Sequence, residues 1–205
     1  MKNKLLIIGA SGHGKVVADI ALGMGNWDTV AFLDDNPAVT SSLGLEVIGS
    51  SEDIESLIND HDFFVGIGDN IIRKKVYEKL ENLGASIPVL VHPSAIVGRE
   101  VTIESGTVLM AGAIVNCSTR IGRGCIVNTG ATVDHDNSIG DYVHVSPGVH
   151  LAGTVSVGDE SWIGLGSKIK NNLSITSKVT VGAGGVVIEN LTHSGVYVGI
   201  PVRRI

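Results

Sequence analysis

Cysteine is nearly absent: Cys117 and Cys125 are the only two in 205 residues. That excludes a disulfide-stapled secreted scaffold, and the pair is spaced too closely to stack in the repeat described below, so both thiols are expected to be reduced. Aromatic residues make up only 4% of the chain, which leaves the core to Val, Ile, Leu and Ala. Positive charge is also short. With 15 Lys and Arg against 21 Asp and Glu, the formal net charge is −6, and broad nucleic-acid binding, which needs a basic surface, is excluded. No apolar run approaches the roughly 18 residues of a membrane-spanning helix, and the stretch from Met1 to Ile8 carries no cleavage signal. A cytoplasmic location without a membrane partner is expected.

What the chain has instead is a period of six. From Val91 to Val187 every sixth residue is aliphatic. This spacing fits neither a 3.6-residue helix nor strand alternation. It fits a coil whose turns repeat and whose aliphatic side chains share one axis, which is the mark of a parallel β-helix. The residue after the aliphatic is often glycine (Gly98, Gly122, Gly140, Gly158, Gly164, Gly182). The residue four positions on is often small (Ala95, Thr107, Ala113, Cys125, Ala131, Ser161, Ser167), as a narrow interior requires.

Residues 1–90 have a different rhythm. Leu5-Leu6-Ile7-Ile8 reads as a buried parallel strand, 15–24 as a helix, and 29–33 as a second strand closing on Asp34-Asp35. A short helix is predicted over 52–59, a third strand over 63–67, a helix over 71–83 and a fourth strand over 87–91, with His92-Pro93 at the handover to the coil. The expected architecture is a Rossmann-like α/β domain (1–90) without a second half, followed by an all-β coil domain (91–205). The turn Gly9-Ala10-Ser11-Gly12-His13-Gly14 lets the backbone approach a phosphate at the following helix N-terminus. Its G-x-x-G-x-G spacing is not the dinucleotide fingerprint, and a tight turn without a ligand is the competing reading. Asp34 and Asp35 stand where acids bind a ribose hydroxyl, or where an Asx turn precedes Pro37. For so short a domain a nucleotide-sugar is a better fit than NAD.

The unbroken aliphatic–Gly–x–x–small–x hexads resemble those of hexapeptide-repeat acyltransferases, which implies a left-handed parallel β-helix of about 18 residues per three-sided coil, usually a homotrimer. The segments GASGHGKVV, FLDD, GIGDNIIRKKVYEK and the closing GVYVGIPVRRI resemble bacterial UDP-4-amino-sugar N-acetyltransferases and the related sialic acid O-acetyltransferases. By that resemblance the N-terminal domain binds a UDP-sugar. Gly12, His13 and Gly14 would lie near the diphosphate, Asp34 and Asp35 near the uridine, and Gly9, Ser11 and Gly68 in the same substrate site. Gly68-Asp69-Asn70 departs from the Gly-Asn-Asn the family leads one to expect.

Acetyl transfer from a thioester needs a base, donors for the oxyanion and a groove for coenzyme A. His135 lies in Asp134-His135-Asp136 where the coil should turn; an adjacent carboxylate fixes an imidazole's tautomer and raises its basicity, although a plain surface histidine is the competing reading. The resemblance implies that His135 is the general base, that Asp136 is its partner, and that Asn128 and His144 line the same site. With about 18 residues per coil, His135 and His144 face opposite sides of one chain, whereas Asn128 and His144 lie together about 4.8 Å apart on successive layers. A site holding all three therefore lies between subunits. Gly153 stacks above His135, where its amide would face the oxyanion or where it merely relieves crowding. Lys168 and Arg203 belong to a basic C-terminal bias suited to the phosphates of acetyl-CoA. Cys117 and Cys125 both precede the His135 turn, so no nucleophile is expected in the site.

Two other classes compete. His135, His144 and His150 invite the zinc site of hexapeptide-repeat carbonic anhydrases, which have no use for a nucleotide-type domain. A non-enzymatic sugar-nucleotide scaffold would not require the Asp-His-Asp turn. The expected activity is transfer of acetyl from acetyl-CoA to the 4-amino group of a UDP-linked dideoxy sugar by direct attack, without a metal; O-acetylation of sialic acid, or N-acetylation of another nucleotide-linked amino sugar, is the alternative.

Overall fold

A computed structural model describes residues 2–205 of the chain. It divides into two compact units, Met1–Pro93 and Ser94–Ile205.

The first unit is a five-stranded sheet with three helices. Its elements are β1 (Lys4–Ile8), α1 (Gly12–Met24), β2 (Thr29–Leu33), β3 (Ser41–Ser42), β4 (Leu45–Gly49), α2 (Ile54–Leu57), β5 (Asp62–Val65) and α3 (Asn70–Asn82). The strand order is β3-β4-β2-β1-β5, parallel except for the β3–β4 hairpin. β1 is buried from Leu5 to Ile8, as its unbroken aliphatic run requires of a central parallel strand. α1 buries Gly14, Val17, Ala18 and Ala21, the i, i+3, i+4, i+7 stripe of an amphipathic helix, and stops at Gly25, whose φ of 66° closes the last turn on Ala21 and Leu22. Two sequence expectations are corrected. Leu45–Gly49 supplies the strand beside β2, and its half-exposed alternation hides it among the polar residues around it. The stretch 87–91 adds no strand to this sheet; only Leu90–Val91 is extended.

The second unit is a three-faced parallel β-helix. Partners in register are 18 residues apart: Ile114 with Thr132, Arg120 with Ser138, Ile126 with His144. The first face carries Ile114–Val115, Thr132–Val133, His150–Leu151 and Lys168–Ile169, the second Arg120–Ile121, Ser138–Ile139 and Ser156–Val157, and the third Ile126–Val127, His144–Val145 and Trp162–Ile163. An antiparallel hairpin of Gly195–Gly199 and Val202–Arg204 extends the third face. From Leu109 to Val187 the period-six aliphatics are at most 3% exposed. Val97, in the first coil, is 42% exposed because this unit has no coil beneath it. Buried polar residues at the small position are bonded to neighbouring coils: Thr119 donates to Asp134 O, Ser161 to Thr176 O and Ser167 to Gly182 O. A buried hydroxyl without such a partner would destabilise the interior.

Every sixth residue from Glu100 to Gly184 also has a positive φ, between 57° and 69°. These are the corners. Seven are glycine; the others include Asp136, Tyr142 and Thr154, side chains that enter this region at a cost of about 1–2 kcal/mol each. Because so many corner residues are not glycine, composition conceals this second period of six. No helix among the described residues is long and apolar enough to cross a membrane.

Candidate active site

In the first unit the chain leaves β1 for β2 on one side and returns to β5 on the other. The carboxyl ends of β1 and β5 thus bound a topological switch point, where open α/β sheets take their ligands. The loop from Gly9 to Gly14 lies on one side and the loop from Gly66 to Asn70 on the other. Gly14 is required by contact, since a Cβ on it would stand 1.9 Å from Gly9 O, and Gly9 by its φ of 98°. Gly12 meets nothing within 4 Å, and Ser11, at the N-cap of α1, makes no side-chain cap. The positive end of α1 is thus left open to an anion.

Polar side chains hold these loops in place. Ala10 N–H donates to Asp34 Oδ2 at 2.8 Å, and Ser42 Oγ donates to Ala10 O at 2.8 Å. Asp34 Oδ1 also accepts from Asn36 N–H at 2.9 Å, the Asx turn. Asp35 accepts from Ser51 N–H and Oγ–H at 2.7 and 3.1 Å. It borders a cavity of about 810 Å³ whose apolar lining includes Ile54, Ile67 and Ile72. On the other loop the buried Arg73, which sequence reasoning missed, donates to Gly68 O at 2.9 Å and Asn70 Oδ1 at 2.8 Å. Asp69 caps α3, accepting from Ile71 and Ile72 N–H, so it does the work of an N-cap asparagine. Between the loops, burial and the Arg73 charge push the His13 imidazole down to about 4. His13 is therefore neutral near pH 7, and its Nε2 is buried with no hydrogen-bond partner among the described residues.

In the second unit His135 and Asp136 occupy the corner between the first and second faces. His135 Nδ1–H donates to Asp136 Oδ2 at 2.7 Å, and both side chains are more than half exposed. The positive φ of Asp136, 57°, belongs to the corner that brings its carboxylate beside the ring. That hydrogen bond raises the imidazole above the ordinary histidine value, with the nearby carboxylates of Asp134 and Asp136 adding to it. Asp134 is tied down separately. It accepts from Asn116 Nδ2 at 2.8 Å and from His135 N–H at 2.9 Å, and these bonds lower its carboxyl below the usual range. The pair thus leaves Nε2 as the free, basic, outward nitrogen.

His144 lies on the third face, across the prism from that corner. Its Nε2 meets Asn128 Nδ2 at 3.0 Å across one coil, and its ring stacks on Trp162 with centroids 5.4 Å apart and planes 10° from parallel. Within one chain, then, Asn128 and His144 are brought together and His135 is kept from both.

Residues 4–80 match the PglD N-terminal domain family. Over 114 residues the sequence is 38% identical to the UDP-N-acetylbacillosamine N-acetyltransferase of Bacillus subtilis, a match covering 54% of this chain and 52% of that protein, about half its length. The acetyltransferase domain of PglB from Neisseria gonorrhoeae, whose structure has also been determined with acetyl coenzyme A, superposes over 100% of both chains with a TM-score of 0.96 at 40% identity. The chain belongs to the family of the PglB acetyltransferase domain. A second structure of this kind, PerB of Caulobacter crescentus with CoA and GDP-perosamine, matches 98% of this chain and 97% of its own with a TM-score of 0.93 at 37% identity.

The remaining candidates of this PglB-type chain fall as follows. Gly153 stands directly above His135: a Cβ there would lie 2.6 Å from both Cε1 and Nε2 of the imidazole, so the ring itself occupies the space the glycine leaves. Lys168 projects from the first face in register with His150. Arg203 lies in the C-terminal hairpin, bonded to Glu189 at 3.4 Å. His150 bonds Thr132 on the first face at 2.9 Å, and among the described residues no three His, Cys, Asp or Glu side chains are grouped to hold a metal. One expectation is corrected. Cys117 is exposed and stands one coil below His135, its carbonyl accepting from Asp136 N–H at 3.1 Å. Eighteen residues of sequence separation amount to a single rung here, so a cysteine that precedes the turn is still its neighbour. Trp162 was the other omission; its place is set by the column Ile126, His144, Trp162 on the third face.

Proposed function

We propose that the protein transfers the acetyl group of acetyl-CoA to the 4-amino group of a UDP-linked amino-dideoxy sugar, with His135 as general base. The observation that carries this reading is the exposed His135–Asp136 corner beneath Gly153, where the Nδ1–Asp136 bond leaves a basic Nε2. It is supported by the acetyl-CoA complex of the Neisseria PglB domain and by the activity named for the Bacillus relative.

The steps are those of direct attack. The neutral amine adds to the thioester carbonyl carbon while His135 Nε2 takes the N–H proton. The Gly153 N–H stabilises the developing oxyanion. The C–S bond then breaks, and the departing thiolate receives the proton from the imidazolium, leaving an amide and free CoA. Asp136 holds the Nδ1–H and steadies the charged ring. Asn128 and His144 come from a neighbouring copy in a homotrimer, which closes the distance that one chain leaves open. Lys168 and Arg203 serve the phosphates of CoA. Gly9, Ser11, Gly12, His13, Gly14 and Gly68 cradle the diphosphate, while Asp34 and Asp35 shape the nucleoside end.

A GDP-linked 4-amino sugar is the second reading, favoured by the match to PerB. The test is CoA release from acetyl-CoA with a panel of UDP-, GDP- and CMP-linked sugars, with the product bond identified by mass spectrometry. N-acetylation of a UDP-4-amino sugar is expected; acylation of a hydroxyl, or no turnover with any amino sugar, sinks the proposal. Because Cys117 neighbours the base, Cys117→Ser discriminates the route: direct attack predicts that most of kcat survives, an acyl-cysteine that it is lost.

A further inference from the structure

The interior of the coil holds a side chain that the reaction scheme leaves unused. Asn137 stands at the small position four residues after Val133 and is buried. Where that position carries a hydroxyl, its one hydrogen ties one carbonyl fifteen residues on: Thr107 donates to Gly122 O at 2.7 Å, Ser161 to Thr176 O at 3.2 Å and Ser167 to Gly182 O at 3.0 Å. A primary amide has two hydrogens. Asn137 Nδ2 donates to Ala152 O at 3.1 Å and to Asp134 O at 2.6 Å, while its Oδ1 accepts from Val155 N–H at 2.8 Å. The two carbonyls belong to the peptides that lead into Gly153 and His135. Among the described residues the Asn137 bond is the one bond that Ala152 O receives, whereas Asp134 O is also held by Thr119.

In a trans peptide the C=O and N–H point in opposite directions, and the cis bond of this chain is at Ile200-Pro201. Drawing Ala152 O toward the interior therefore turns Gly153 N–H out of the coil, where it has no acceptor among the described residues. The rung below obeys the same rule: Asp134 O points in to Asn137 and Thr119, and His135 N–H points out to Asp134 Oδ1 at 2.9 Å. We infer that Asn137 is a positioning residue of the acetyl transfer: from inside the coil it sets the Gly153 peptide so that its N–H is presented outward on the rung above His135. This rests on the reading above that Gly153 N–H is the oxyanion donor. Without the amide, Ala152 O loses its partner and the peptide, with glycine on one side, is free to turn. A donor turned away from the developing charge forfeits much of the rate factor of about 10² to 10³ that an oxyanion-hole donor supplies.

The experiment compares variants of the full chain by kcat, both KM values, urea denaturation and the Ala152 carbonyl ¹³C shift, which moves upfield when its hydrogen bond is lost. Asn137→Val should fold, because Val143, Val149 and Val155 fill equivalent buried positions. It should shift the Ala152 carbonyl and lower kcat about ten- to a hundredfold with both KM values unchanged. Asn137→Thr supplies a hydroxyl in the manner of Thr107 and should restore the shift and most of kcat. Thr107→Val removes the equivalent tie to Gly122 O and Cys125 N–H on another corner, and should cost stability while leaving kcat unchanged. If the valine variant does not fold, Asn137→Cys keeps a weak donor, as Cys125 does toward Gly140 O, and should lower kcat in the same sense. Wild-type kcat in Asn137→Val or its cysteine substitute, no recovery with threonine, or an equal loss in Thr107→Val overturns the inference. His135→Ala tells this failure from that of the reading beneath it. Full kcat there ends the role of the corner itself, whereas an impaired His135→Ala beside a fully active Asn137→Val overturns Asn137 alone.

Discussion

His135 is unusual for an exposed residue in being basic by design of its corner. Its raised pKa has one principal cause, the bond to Asp136, and the sign of the consequence follows. A general base works unprotonated, so kcat/KM should rise with pH and level off only above the ordinary histidine range near 6.5. Asp136→Asn removes that cause and should move the acid limb to lower pH while reducing the plateau. An unchanged limb would detach Asp136 from the base. His135→Ala should lower kcat by about 10² to 10⁴ without unfolding, as followed by circular dichroism. Gly153→Ala gives a subtler test. The new methyl would collide with the imidazole alone, and a side-chain tip can swing aside, so folding should be preserved while kcat falls roughly a hundredfold. Wild-type turnover in that variant would mean the ring does not work where it stands. His135 was legible from its Asp-His-Asp setting. The contact with Gly153 followed from counting coils, whereas Arg73 and Trp162 were hidden because their roles depend on what lies across a loop or a rung.

At the level of elements, the aliphatic period announced the coil and its interior without ambiguity, since only one arrangement buries every sixth residue of a long run. The corners were harder to read because glycine fills only some of them. The α/β unit was legible in β1, β2, α1 and α3, where apolar runs and helical stripes are strong. It was illegible at β4, whose pairing with β2 is decided by its neighbour rather than by its own sequence. The departure at Asp69 is resolved by capping. Asp69→Ala should cost about 1 kcal/mol of stability in urea titration, and Asp69→Asn should be nearly neutral. A full-strength α3 in the alanine variant would show that Arg73 and the loop hold the helix without its cap.

The whole molecule is where a single chain falls short of its proposed chemistry, because the corner of His135 and the face of His144 look away from each other. Mixing His135→Ala with His144→Ala, each expected to be impaired alone, should recover activity once subunits are exchanged. In a random trimer of equal parts about a quarter of the interfaces receive both histidines, so about a quarter of wild-type kcat is expected. A site contained in one chain would recover none. Coil counting made the separation of His135 from His144 within one chain readable from the sequence, and it also limited what could be read, since chain-to-chain contacts leave no period in a sequence. The fixed step of the coil has one more effect. Corners recurring every six residues and rungs every 18 divide the second unit into storeys about 4.8 Å high. Adding one whole storey of residues between Ile175 and Val181 would leave His135 and Gly153 untouched while raising the Arg203 hairpin by one unit. The reach between reacting carbon and distant phosphate is then a quantised dimension, adjustable like the notches of a ruler and unavailable to a fold whose parts do not repeat.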